Sequence, residues 1–163
     1  MDLTNPMHIA TKSSKIDITL EKDTKSISQK ISNYLTKGDT VFFYGEIGVG
    51  KTTFARLLIN SLENDNKLKN SEVLSPTFNI VFEYKIKGFS IKHYDFYRLK
   101  DEKDIKNIGL FENIEKNITL IEWPEILKKK PLNRIDIFFQ YKKNMNDRIL
   151  KIKTYGRLKS HEF

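Results

Sequence analysis

A chain of 163 residues with 29 lysines and arginines, 21 acids and a net charge of +8 fits one domain spanning residues 1 to 163. The absence of cysteine excludes disulfides and thiolate chemistry, and no apolar run approaches the roughly 18–20 residues that cross a bilayer. The first twenty residues lack the pattern of a secretory signal, so a cytoplasmic setting is expected. The basic excess favours polyanions but names no partner, because the lysines are scattered and the run Lys128, Lys129, Lys130 reads as a solvated face.

In chain order, residues 1 to 14 are polar and weakly patterned and are expected to be loosely ordered, after which Ile16, Ile18 and Leu20 alternate as a first strand. Asp23 or Thr24 then caps a helix whose apolar positions are Ile27, Ile31, Tyr34 and Leu35, with Gly38 as its stop. The run Val41 to Tyr44 is apolar on both faces, as a central strand covered by helices should be. Beyond a glycine loop, Phe54, Leu57, Leu58 and Leu62 mark a second helix. Phe78, Ile80, Phe82 and Tyr84 alternate, as do Phe89, Ile91 and His93. With the turn at Lys85 to Gly88 they predict an antiparallel hairpin that ends at Asp95. A short helix is expected near Asp101 to Lys106. A buried strand over Ile118 to Ile121 follows, stopping at Glu122, Trp123 and Pro124. Two alternating segments, around Ile135 to Phe139 and Ile149 to Tyr155, are joined by the turn-like NMND. The class predicted is α/β, with a mainly parallel central sheet, added antiparallel strands and flanking helices.

The segment GEIGVGKTT matches G-x-x-x-x-G-K-[ST] at Gly45, Gly50, Lys51 and Thr52. Such a P-loop uses its glycines to turn backbone N–H groups inward around phosphate oxygens, while the next helix offers its N-terminal partial charge to the same anion. Gly45, Ile47, Gly48, Val49, Gly50, Lys51, Thr52 and Thr53 are therefore the expected ATP-binding segment. Lys51 would reach the β and γ phosphates and Thr52 would give its hydroxyl to Mg²⁺. The position after an apolar strand and before an amphipathic helix is the context this motif requires.

A P-loop also needs a carboxylate near the end of a neighbouring strand. Glu122 is the candidate metal ligand, against the plainer role of an acid leaving the core. Trp123 is either a packing residue or a surface for the base, and Asp95 either places the attacking water or caps a turn. Thr77 either senses the γ-phosphate or begins a strand, and His93 is read as a half-buried strand residue. A small-molecule kinase would use the same loop but needs an arginine-rich lid, and Arg56, Arg98, Arg134, Arg148 and Arg157 are scattered. A nucleotide-gated binding module without useful turnover is a third possibility.

SPTF (Ser75 to Phe78), Glu83 and Tyr84, HYDFYRL (His93 to Leu99), Gly109 and Leu110, and IEWPE (Ile121 to Glu125) resemble, in order and spacing, the bacterial TsaE ATPases from about Thr24 to Arg148. The resemblance implies a P-loop α/β fold, slow ATP hydrolysis and a role in threonylcarbamoyladenosine (t6A) formation at position 37 of tRNA. It implies as partner the TsaB–TsaD complex, whose turnover the ATPase supports, with tRNA met directly or only through that complex. It also implies Thr52 and Glu122 as metal ligands, Lys51, Asp95 and Thr77 as the residues of hydrolysis, and Arg148 as a nucleotide contact. Glu46, Ile47 and Asn79 depart mildly from the common family pattern, and the tail beyond about Leu132 matches it poorly.

Overall fold

The computed structural model describes residues 15–161 and 163; the expectation for residues 1 to 14 lies outside the described residues. Seven strands form one sheet among them: β1 (Lys15–Asp17), β2 (Thr40–Tyr44), β3 (Val81–Ile86), β4 (Phe89–Asp95), β5 (Ile118–Glu122), β6 (Arg134–Tyr141) and β7 (Arg148–Tyr155). Their order across the sheet is β1-β7-β6-β2-β5-β4-β3. β6, β2, β5 and β4 are parallel to one another, while β3 pairs antiparallel with β4, β7 with β6 and β1 with β7. The expected α/β sheet, a parallel centre with antiparallel additions, is the observed one.

The helices α1 (Glu21–Ser32) and α2 (Lys51–Asp65) lie over one face, and the short α3 (Glu102–Asn107) over the other. β2 explains its own central place. Val41 and Phe43 enter the core under α1 and α2, Phe42 enters the smaller core with Ile105 of α3, and all three are fully buried. Phe54, Ala55, Leu58, Ile59 and Leu62 form the buried stripe of α2, with Leu57 at its flank. Removing a ring such as that of Phe54 would cost about 3–5 kcal/mol.

Four boundaries differ from expectation. β1 ends at Asp17, whose carboxylate accepts the Thr19 N–H at 2.9 Å, so Leu20 is the N-cap of α1 and not a strand residue. Thr24 sits inside the helix with its hydroxyl donating to the Ile18 carbonyl at 3.2 Å, and neither it nor Asp23 is the cap. α1 stops at Ser32, where Tyr34 N–H turns to Ile31 O at 3.0 Å and tightens the last turn. Gly38 acts later, donating to Asn117 O at 2.8 Å ahead of β2. The hairpin is present, but Phe78 to Ile80 precede it as turns, because Ile80 takes φ 68° and cannot extend the strand.

Candidate functional site

The site gathers where the C-terminal ends of β2, β4 and β5 meet the N-terminus of α2, at the point where the sheet passes from β2 to later strands on both sides. Gly45 leaves β2 at φ 141°, and a Cβ there would stand 2.8 Å from the Phe139 carbonyl oxygen, so only glycine fits between the loop and β6. Gly50, at φ 113°, is the N-cap of α2. The first turn of α2 carries no acid, which leaves its free N–H groups and partial positive charge to an external anion.

A cavity of about 290 Å³ opens above that turn. Ile47, Gly48, Gly50, Lys51, Thr52, Thr53, Thr77, Asp95, Glu122 and Trp123 line it, together with Ser75 and Tyr97. Gly45 and Val49 belong to the loop but not to the lining: Val49 is buried in the core, and the Gly45 carbonyl faces Lys51. Arg148 is not brought into the cavity. It starts β7, with its guanidinium 5.7 Å from the ring centroid of Tyr141.

Lys51 is 5% exposed and donates from Nζ to Gly45 O at 2.6 Å and Glu46 O at 2.8 Å. Trp123 covers it, the ammonium lying 4.0 Å from the indole centroid. That placement uses a left-handed backbone at Trp123, φ 58°, which a bulky residue rarely adopts. Burial lowers the Lys51 pKa from its ordinary 10.5, opposed by the charges of Glu122, Asp95 and Glu125.

Glu122 closes β5 at 2% exposure, which disfavours the plainer role of an acid leaving the core. Its two oxygens accept from the Thr52 hydroxyl at 2.8 and 3.0 Å. Two adjacent ligands of an octahedral Mg²⁺, bound at ~2.05 Å, stand about 2.9 Å apart, so this hydroxyl and carboxylate fit such an ion as donors and spacing both. No group of three or more His, Cys, Asp or Glu that could hold a metal ion occurs among the described residues.

His93, expected to be half-buried, is fully buried, because β4 is an inner strand whose α2-side face packs into the core. Its Nε2 lies 2.9 Å from Glu122 Oε1; the carboxylate accepts, so the ring proton is on Nε2 and the metal candidate is held from behind. Asp95 is the register partner of Glu122. Its Oδ2 accepts from the Thr77 hydroxyl at 2.6 Å and its Oδ1 from the Tyr97 N–H at 2.8 Å, and Thr77 in turn shares a hydrogen bond with Ser75 at 2.8 Å. Sequence reasoning missed the roles of His93 and Ser75 and the part of Tyr97, whose ring lies 5.0 Å from that of Trp123.

Residues 18–150 match the family model described as threonylcarbamoyl adenosine biosynthesis protein TsaE. The tRNA threonylcarbamoyladenosine biosynthesis protein TsaE of Rickettsia typhi is 40% identical over 108 residues, covering 66% of this chain and 72% of that protein. The protein of the same name from Bacillus subtilis is 30% identical over 118 residues, 71% of this chain and 70% of the other. For the Rickettsia felis relative, 39% identical, the match covers 66% of this chain and spans 61% of that protein's length. The crystal structure of Bacillus subtilis YdiB superposes with a TM-score of 0.69 at 23% identity, over 93% of this chain and 91% of that one, which shows the shared fold. With a family model matched over most of its length and these relatives alongside, the chain belongs to the TsaE family of threonylcarbamoyl adenosine biosynthesis proteins.

Proposed function

We propose that this chain is a cytoplasmic Mg-ATP hydrolase that supports t6A modification of tRNA by driving turnover of a TsaB–TsaD complex. The observation that carries it is the joining of a P-loop, with Lys51 and Thr52 at the head of α2, to Glu122 within 3.0 Å of the Thr52 hydroxyl. The tRNA threonylcarbamoyladenosine biosynthesis proteins to which the chain is similar supply the pathway.

In this mechanism the backbone N–H groups from Ile47 to Thr53 and the α2 terminus hold the phosphates. Lys51 exchanges its two loop carbonyls for phosphate oxygens, and Trp123 keeps water off its ammonium. Thr52 and Glu122 would hold the metal, and His93 keeps the carboxylate aligned. Magnesium, when bound, neutralises charge on the phosphoryl group. Asp95 orients the attacking water and accepts its proton, with Thr77 and Ser75 fixing the carboxylate.

The experiment is release of phosphate from ATP, read beside capture of TsaB and TsaD with and without ATP, for the wild type and Lys51→Ala. ATP-dependent capture and a turnover that Lys51→Ala abolishes are expected. Full activity in that variant refutes the site, and ATP-independent capture refutes nucleotide control of the partner.

A further inference from the structure

We propose that the sheet face formed by the end of β2 with β6, β7 and β1, opposite α1 and α2, binds single-stranded RNA. The choice of RNA over other polyanions rests on the proposed role in tRNA modification; the surface itself is argued from its own chemistry.

Alternation assigns the face. Ile137 and Phe139 of β6, and Leu150 and Ile152 of β7, point into the core beneath α1 and α2, so Phe138, Lys151 and Lys153 point the other way. The second core, which α3 covers, contains no residue of β6, β7 or β1 among its buried members. Register then aligns one row across four strands: Tyr44 opposite Phe138, Phe138 opposite Lys151, Lys151 opposite Lys15. Lys15 and Lys153 are exposed, Phe138 and Lys151 half-buried.

Two features of this row point to an external polyanion. First, Lys151 and Lys15 are like charges placed directly opposite, an arrangement that costs a sheet stability. Of the acids on this face, Asp136 is buried against Arg134, whose Nε donates to it at 3.1 Å, and lies opposite Lys153 in register with the charges of Lys130 and Lys153 acting on it, while Asp17 is paired with Lys142; Lys151 and Lys15 have no acid opposite them in register. Second, the cations are interleaved with a stacked aromatic pair. Tyr44 and Phe138 lie 4.6 Å apart and 11° from parallel, with Lys130 Nζ 5.3 Å from the Tyr44 centroid and Lys153 Nζ 5.5 Å from that of Phe138. π surfaces beside flexible ammonium groups on an open sheet are what strand-tracking RNA binders use: a base stacks on the ring, and the displaced lysine takes the flanking phosphate. An acidic peptide would match the charge but leave the rings without a role. Tyr44 is followed directly by Gly45, so RNA seated here would touch the strand that carries the P-loop.

The test is fluorescence anisotropy of the full chain with a labelled oligouridylate of about 8 nucleotides, a length within known single-strand site sizes, in the absence of ATP. Lys151→Glu with Lys153→Glu should lower affinity more than about tenfold and flatten the slope of log K against log salt by about 1.4, the share of two phosphate contacts on a single strand. Phe138→Leu, which keeps an apolar side chain while removing the ring, should weaken binding roughly 5- to 100-fold with the slope unchanged. Binding of a fluorescent ATP analogue to each variant should equal the wild type, showing that the fold and the nucleotide site persist. Wild-type affinity in the charge-reversed protein, competition by polyglutamate as strong as by RNA, or full binding by Phe138→Leu overturns the proposal. Absence of RNA binding by a wild type that binds ATP refutes this surface alone, whereas failure to bind ATP refutes the proposed function instead.

Discussion

Changing Asp95 to Asn removes the charge of this buried carboxylate while nearly preserving its shape. Asp95 is 3% exposed and accepts two hydrogen bonds, at 2.6 Å from Thr77 and 2.8 Å from the Tyr97 N–H. An amide keeps its oxygen toward Tyr97 and turns its NH₂ to Thr77, whose hydroxyl can accept from it while donating to Ser75. Two charge-assisted bonds of about 1.5–3 kcal/mol each thus become neutral ones of about 0.5–1.5, and the expected loss of stability is about 2–3 kcal/mol. For a chain of this size that lowers Tm by about 4–12 °C, which a thermal melt resolves. Turnover should fall far more, by about 10²–10⁴, since the group that takes the proton from water is gone. ATP affinity should stay within about threefold, because Asp95 makes no hydrogen bond to the P-loop. A variant that hydrolyses ATP within about threefold of the wild-type rate refutes the role given to this carboxylate. A loss of ATP affinity matching the loss of turnover reassigns it to binding.

His93→Leu leaves Glu122 without its rear hydrogen bond and should raise the magnesium concentration for half-maximal ATPase activity by roughly 10–100-fold, with Glu122→Gln at least as severe; an unchanged titration contradicts the metal assignment. Gly45→Ala puts a methyl 2.8 Å from Phe139 O at φ 141°, and should cost at least about 1–3 kcal/mol in a melt and weaken binding of a fluorescent ATP analogue; normal stability with normal binding contradicts the loop geometry. Asp136 has its pKa raised above 3.8 by burial, despite Arg134, so its protonated form suits the fold better. Its contribution is fully present below pH 3.8 and is lost as pH rises through the folded-state value. The urea midpoint of the wild type should therefore gain on that of Asp136→Asn as pH is lowered from 7 toward about 4, and a pH-independent difference rules this out.

The parts of the site written within a few consecutive residues were legible. The P-loop announces itself by residue type and spacing, and the short helix expected near Asp101 proves to be held by a local capping box, Asp101 and Asp104 each accepting from the other's end of one turn. Where several residues competed for one local job, type alone misled. Asp23 and Thr24 are good caps by chemistry, yet α1 begins at Glu21, with the exposed Leu20 as its cap and Ile18, two residues before it, buried in the core. The alternation from Phe78 ran through Ile80 because a left-handed backbone leaves no mark in an apolar residue's identity. His93 needed a partner 29 positions away, and only the pairing of β4 with β5 supplies it. The basic row was hidden for the same reason, since Lys15, Phe138 and Lys151 are neighbours in register and strangers in sequence. Arg148, expected as a nucleotide contact from the loosely matching tail, stands at the start of β7 and outside the cavity lining.

The central position of β2 has a consequence during synthesis. Thr40 pairs with Thr119 on one side and Arg134 on the other, so both flanks of that strand are supplied by residues translated much later. At about 5–20 residues per second, roughly 5–20 s separate the making of Val41 to Tyr44 from the arrival of Tyr141. Until β5 is made this stretch, apolar on both faces, has no lateral mate, and until β6 follows it has one on a single side only; slow long-range parallel pairing lengthens the exposure. Chaperone demand for this protein should accordingly concentrate on the window before β6 leaves the ribosome.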